Sequence, residues 1–300
     1  MMVQDKYSRP IPASYFTAPS ARGRIERVAY QTQDYADSQK VQDKYLYVYL
    51  PAGFEAGQDL NILYLIHGGG GTADSFFETL DDTSRLKCVL DNLIADGRMP
   101  PMLVVTPTYY PMENTDKTVP YAHIACERFP KELADDIIPL VEGRYLPCPQ
   151  GTAPQALPAY RDRRAVGGFS MGAVTTWFVM MQIPQLFRSY LPLSGDCWAF
   201  ERRSSVTRPK ETAQVLISCL QKVGLMPDDI FIYAATGSDD IAWDAEEALL
   251  TAMGEYPDWF RFLPVEEGGN TRYLCKPGGV HTYDDIREYI YNTLPDLFRK

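Results

Sequence analysis

The spacing of hydrophobic positions changes part-way along the chain. In residues 44–50, Tyr45, Tyr47 and Tyr49 alternate with Leu46, Val48 and Leu50, so both faces of a strand there are apolar or amphipathic. Together with the looser alternation of residues 23–35, this predicts the first antiparallel strands of a sheet. Residues 61–66 and 102–105 are short, nearly unbroken apolar runs, as expected of strands covered on both faces. Helical spacing follows each of them: Leu86, Val89, Leu90 and Leu93 within residues 81–96, then Leu133, Ile137, Ile138 and Val141 within residues 129–145. Further strands are predicted at 165–169, 190–193, 229–234 and 259–264. Further helices are predicted at 171–182, 244–253 and 283–297. Strands alternating with helices along one stretch of chain imply an α/β fold with a largely parallel sheet.

Residues 1–22, with Pro10, Pro12 and Pro19 among small polar residues, read as an arm on the surface. Residues 23–300 read as one catalytic-sized unit with no internal boundary. Residues 147–159 contain four prolines and no periodicity, which predicts an insertion loop. Three hundred residues are enough to bury one substantial core.

Charge narrows the partners. Lys plus Arg 29 against Asp plus Glu 39 leaves a formal charge of −10, which repels phosphate backbones and anionic lipid. A nucleic-acid partner is therefore not expected. Neither is a membrane partner, because no stretch approaches the roughly 20 consecutive apolar residues that cross a bilayer. The polar start lacks an apolar signal core, so the chain as it stands is expected in the cytoplasm, or outside it after removal of a leader. The six scattered cysteines read as reduced thiols. Three widely separated histidines offer no metal-ligand spacing, so no metal is expected.

The sharpest chemical feature is Gly168-Phe169-Ser170-Met171-Gly172, a G-x-S-x-G with an apolar strand running in and a helix-compatible segment running out. On such a sharp turn a Cβ at either glycine would collide with neighbouring backbone, and the turn lifts the Ser170 hydroxyl clear of the sheet. The second feature is His67-Gly68-Gly69-Gly70-Gly71, directly after the 61–66 strand. Its glycines leave backbone N–H groups open to a developing oxyanion, with Gly69 and Gly70 as candidates and Met171 N–H as the second donor. His67 itself reads as support for the loop, and His123 as a loop residue.

Ser170 needs a base. In hydrolases built on this turn the chain order is nucleophile, acid, histidine, so the base is His281 in Pro277–Thr282. For the acid, the 229–234 strand ends in Gly237-Ser238-Asp239-Asp240. Asp240 is the first choice, with Asp239 and Asp244 behind it and Asp196 as a rival at the end of an earlier strand. Tyr109, Tyr110, Trp198 and Trp243 fall near the same strand ends and are candidates to stack on a substrate ring.

These segments resemble the esterase D-type branch of the α/β-hydrolases, and specifically the feruloyl esterases of carbohydrate esterase family 1. The resemblance rests on Tyr47–Pro51, Leu63–Gly71, Val105–Thr108, Gly167–Gly172, Leu193–Asp196, Gly237–Asp240 and Gly279–His281, and runs from about residue 23 to 297. It implies an α/β-hydrolase fold with helices on both faces of the sheet. It implies hydrolysis, without any cofactor, of an ester joining a hydroxycinnamic acid to a plant cell-wall sugar, as a small molecule or an oligosaccharide. The family's Gly-x-x-Asp turn maps onto Gly237–Asp240 and supports Asp240 as the acid. Acetylxylan esterases share this frame. A thioesterase or S-formylglutathione hydrolase would use the same serine, and a non-catalytic carbohydrate-binding protein is the remaining reading.

Overall fold

A computed structural model describes residues 4–5, 8–35, 40–111 and 119–298; residues 1–3 and 6–7 of the N-terminal arm lie outside the described residues. The strands are β1 (Gln4–Asp5), β2 (Arg24–Gln33), β3 (Val41–Leu50), β4 (Asn61–Ile66), β5 (Met102–Thr106), β6 (Arg164–Phe169), β7 (Ser189–Leu193), β8 (Phe231–Gly237) and β9 (Thr271–Lys276). The helices are α1 (Arg85–Ala95), α2 (Val119–Glu132), α3 (Ile138–Tyr145), α4 (Met171–Gln182), α5 (Ser204–Thr207), α6 (Pro209–Lys222), α7 (Trp243–Met253) and α8 (Tyr283–Thr293). All nine strands form one sheet in the order β1-β9-β8-β7-β6-β4-β5-β3-β2. β2 pairs antiparallel with β3, and β3 with β5, while every other pair is parallel.

The unbroken apolar strands have a direct cause. Ile62, Tyr64 and Ile66 of β4 point into one core with Trp177 of α4 and Leu216 of α6, whereas Leu63 and Leu65 point into the other with Leu90 of α1 and Ile290 of α8. Successive side chains of a strand face opposite sides, so a sheet covered by helices on both faces needs apolar residues at every position. β3 divides its residues the same way, with Leu46, Val48 and Leu50 in one core and Tyr47 and Tyr49 in the other.

Two expectations are corrected. Residues 259–264 are not a strand. Phe260 and Phe262 are buried in alternation as a strand would require, but the Arg261 carbonyl accepts from Asn270 N–H and Thr271 N–H, and Arg261 N–H donates to the Asn270 side chain. This irregular bend braces the entry to β9, which was not expected from the sequence. The helix expected over 129–145 begins earlier and contains a wide π turn at Leu133–Ile137, where Ile138 N–H bonds the Leu133 carbonyl. Pro139 follows at once and has no N–H to continue the α ladder. Helix α6 was also missed, although its buried Ala213, Leu216, Ile217 and Leu220 follow helical spacing behind a proline at the first turn.

The arm is anchored by Tyr15, which is buried against Tyr291 at 5.4 Å and donates its hydroxyl to Asp96. Residues 147–156 are irregular and lead into a 3-10 helix at Leu157–Arg163. Arg163 and the fully buried Arg164 both pair with Glu142 of α3. The cysteines carry no disulfide; Cys88, Cys126 and Cys197 are buried, and Cys148, Cys219 and Cys275 partly so. Among the described residues no helix is long and apolar enough to cross a membrane.

Candidate active site

β6 ends and α4 begins across Ser170, which is held at φ 56°, ψ −112°. That backbone region is unfavourable for a residue with a Cβ, and it persists because the surroundings enforce it. Ser170 N–H donates to the Leu193 carbonyl at 2.9 Å. A Cβ on Gly172 would lie 2.0 Å from the Ile66 carbonyl oxygen, and one on Gly168 would lie 2.6 Å from both Gly172 and Ile66 backbone atoms. The two glycines of the motif are thus required by contact between β4, β6 and α4.

His281 comes from the turn between β9 and α8. Its Nε2 lies 2.9 Å from Ser170 Oγ, and its Nδ1 lies 2.7 Å from Asp240 Oδ1. Since the ionised carboxylate can only accept, the proton sits on Nδ1 and the Nε2 lone pair faces the serine hydroxyl. Asp240 is fixed by its own turn: its N–H donates to Gly237 O, and Oδ1 also accepts from Ala242 N–H at 2.8 Å. The turns that carry the acid and the histidine lock together through Asp239 N–H to Gly279 O, and a Cβ on Gly237 would meet that oxygen at 2.1 Å. Of the four carboxylates considered, only Asp240 reaches the imidazole; Asp239 bonds Ser238, Asp244 pairs with Arg203, and Asp196 accepts from Trp198 Nε1–H at 2.9 Å.

The glycine loop is held from beneath. Tyr109 OH donates to Gly68 O, Gly70 N–H donates to Tyr110 OH, and Gly68 N–H donates to Tyr283 OH. His67 is buried and stacks on Tyr109 at 4.5 Å, with Nδ1 2.8 Å from Gly68 O and Nε2 2.7 Å from Thr108 Oγ1. It is a loop support, as its position after β4 indicated. Below Thr108, the buried ammonium of Lys44 donates to the Thr108 carbonyl at 2.6 Å and pairs with Glu132, which also accepts from Tyr30. Burial pushes the Glu132 carboxyl up, and Lys44 and Tyr30 pull it back.

Two candidate donors remain open. Gly69 N–H has no partner among the described residues, and a Cβ there would touch the Met171 side chain at 3.2 Å. Met171 opens α4, so its N–H has no carbonyl within the helix to bond. Gly70 N–H, by contrast, is already directed at Tyr110.

Next to Ser170 a pocket is lined by Met171, Val174, Trp198, Ile241, Ala245 and His281, with Asp196, Arg202 and Arg203 also bordering it. Trp198 is therefore where the sequence placed it. Tyr109, Tyr110 and Trp243 do not line this pocket: both tyrosines are buried under the glycine loop with their hydroxyls committed to its backbone, and Trp243 stands partly exposed outside the lining. His123 packs behind Trp198 at 5.2 Å and against Phe178.

A family model named Esterase, described as "Putative esterase", matches residues 38–253. The chain belongs to this esterase family. Endo-1,4-beta-xylanase Y of Acetivibrio thermocellus is 33% identical over 292 residues, spanning 97% of this esterase and 25% of the relative. An endo-1,4-beta-xylanase/feruloyl esterase of Xylanibacter ruminicola is 27% identical over 205 residues, or 67% of this chain and 25% of its own length. The esterase thus spans about a quarter of the length of these curated relatives. Among solved structures, a serine-to-alanine variant of the feruloyl esterase module from Clostridium thermocellum, complexed with sinapinate, superposes with a TM-score of 0.84 at 33% identity, covering 99% of this chain and 95% of that one. The architecture is the α/β-hydrolase fold.

One buried group of this esterase escaped sequence reasoning. Glu246 of α7 is fully buried, and its Oε2 accepts from Gly195 N–H at 3.1 Å. Burial, reinforced by the nearby Asp240 carboxylate, pushes the Glu246 carboxyl well up. A signal existed: Glu246 falls on the same helical stripe as Leu249, Leu250 and Met253, where a carboxylate is out of place.

Proposed function

We propose that this esterase hydrolyses feruloyl and related hydroxycinnamoyl esters of plant cell-wall sugars through an acyl-enzyme. The observation that carries the reading is the Ser170–His281–Asp240 chain of hydrogen bonds, at 2.9 and 2.7 Å, beside a pocket walled by Trp198. The feruloyl esterase module with bound sinapinate, similar along nearly the whole chain, supports the substrate class.

Ser170 Oγ attacks the ester carbonyl as its proton passes to His281 Nε2, and Asp240 stabilises the imidazolium that forms. The carbonyl oxygen becomes an oxyanion facing Met171 N–H and Gly69 N–H, or Gly70 N–H if it leaves Tyr110. His281 then gives its proton to the departing sugar oxygen. A water loses a proton to His281, attacks the acyl-enzyme, and the free acid leaves as Ser170 regains its hydrogen. The phenolic ring lies along Trp198 and the apolar side chains of Met171, Val174 and Ala245. Residues 23–300 act as one catalytic domain carrying the 1–22 arm. A xylan-bound ester favours a site of action outside the cytoplasm.

The test is release of ferulate from methyl ferulate, run beside release of acetate from acetylated xylan, with Ser170→Ala as control. Ferulate release that exceeds acetate release and disappears in Ser170→Ala is expected. Acetate release alone would move the substrate to acetylxylan, and undiminished turnover by Ser170→Ala would overturn the scheme.

A further inference from the structure

The mouth of the pocket carries a cation that the hydrolytic steps do not use. Arg202 borders the same pocket as Ser170, with its guanidinium 5.9 Å from the centre of the Trp198 ring. Arg203 is paired with Asp244, and Arg208 with Glu201. Arg202 has no carboxylate partner among the described residues, in a chain whose formal charge is −10. The face it overlies is held in place from below. Trp198 Nε1–H donates to Asp196, His123 packs edge-on against the ring, and the ring itself is buried.

We propose that Arg202 is a specificity residue that reads oxygen substituents on the ring of the bound acyl group. This inference rests on the phenolic-ester reading above. A guanidinium has five N–H donors and no acceptor, so it rewards a ligand that offers acceptors. Met171, Val174, Trp198 and Ala245 supply apolar surface for a flat ring, and the other side-chain donors on the lining outside the Ser170–His281 pair are the buried Ser194 hydroxyl and Arg203, which Asp244 already holds. Asp196 does not do this work: one of its oxygens takes the Trp198 N–H, and the other is closed off from solvent. Recognition by Arg202 has a chemical signature. It favours ring oxygens as acceptors, so a methoxy group serves as well as a hydroxyl. A carboxylate reader would demand the hydroxyl. The ligand class is therefore the cinnamic esters oxygenated at the end of the ring far from the ester.

The experiment compares wild type, Arg202→Met and Arg202→Lys on methyl cinnamate, methyl ferulate and methyl 3,4-dimethoxycinnamate, which share one leaving group. Arg202 is exposed, so its truncation leaves the core intact, and thermal unfolding of each variant checks this. Arg202→Met is expected to lower kcat/KM about tenfold more on both oxygenated esters than on methyl cinnamate, with Arg202→Lys in between, as loss of a hydrogen bond from a charged donor implies. An equal loss on all three esters, no loss, or a loss confined to the hydroxylated ester would overturn the assignment. Wild-type hydrolysis of p-nitrophenyl acetate with none of the three cinnamates would instead overturn the phenolic reading, and this proposal with it.

Discussion

Gly172 and Ile66 approach so closely that a Cβ on the glycine would lie 2.0 Å from the isoleucine carbonyl oxygen. This contact joins the end of β4, where the glycine loop begins, to the first turn of α4. It therefore sets the distance between the two places from which the candidate oxyanion donors come.

Gly172→Ala cannot be absorbed by a rotamer change, because the obstacle is backbone. The elbow must move, and a displacement of about 1 Å at a reacting group costs roughly 10²-fold in rate. A fall in kcat of that order or more, with a lowered thermal midpoint, is expected for the variant. Turnover within a few-fold of wild type would show that the elbow tolerates a shift.

Asp240→Asn keeps the size of the side chain but can present an N–H to His281. Imidazole then turns its lone pair towards the amide and its N–H towards Ser170, the wrong tautomer for a base. In the analogous serine-protease substitution the drop is about 10⁴-fold, and a loss of roughly 10³–10⁴ in kcat is expected here. Circular dichroism should be unchanged.

The Lys44–Glu132 pair is buried, with side chains 1% and 6% exposed. Removing one partner leaves the other charge without compensation, which typically costs about 3–5 kcal/mol. Lys44→Met is expected to destabilise by that amount in urea unfolding. Adding Glu132→Leu should recover much of the loss. If the double variant is no more stable than the single one, the penalty lies in the Thr108 carbonyl and Tyr30 hydroxyl rather than in the stranded carboxylate.

Glu246 has a pH signature. Its folded-state pKa is raised, by burial first and by Asp240 second. The unfolded chain releases this proton near pH 4.3 and the folded one holds it, so the stabilisation is fully present below about 4.3 and fades as pH rises, by at most about 1.4 kcal/mol per unit. Gln at this position can still accept from Gly195 but has no proton to lose. The stability of Glu246→Gln relative to wild type should therefore climb between pH 5 and 7. A difference independent of pH would mean that Glu246 is ionised in the native state.

The local pattern of the chain carried the fold a long way. β4 and α4 have the bounds that periodicity gave them, because a strand buried on both faces and a helix that opens on a glycine-bracketed turn and stops just before Pro184 each leave a distinct local mark. Trp259–Pro264 failed for a tertiary reason: Phe260 and Phe262 fill the core in alternation, but the backbone between them serves the Asn270 turn rather than a ladder. Ser170, His281 and Asp240 stood out as candidates from motif and chain order, since Ser170 and Asp240 sit on turns whose glycines backbone contact requires and His281 follows a turn with Gly278 at φ 70°.

What spacing could not assign was the use of aromatic and charged side chains. Tyr109, Tyr110 and Trp198 look alike as rings near strand ends, yet the hydroxyls of the first two are drawn beneath the glycine loop and only the third faces the pocket. Arg202 and Arg203 are adjacent in sequence, and only the position of Asp244 on α7 separates a paired cation from an open one. The sequence by itself determined the α/β layering and singled out Ser170 and His281 as candidates, with Asp240 first among four acids, because these depend on local periodicity, motif and chain order. Tertiary structure decided which groups line the pocket and which N–H groups stay open, because those depend on partners brought together from distant strands.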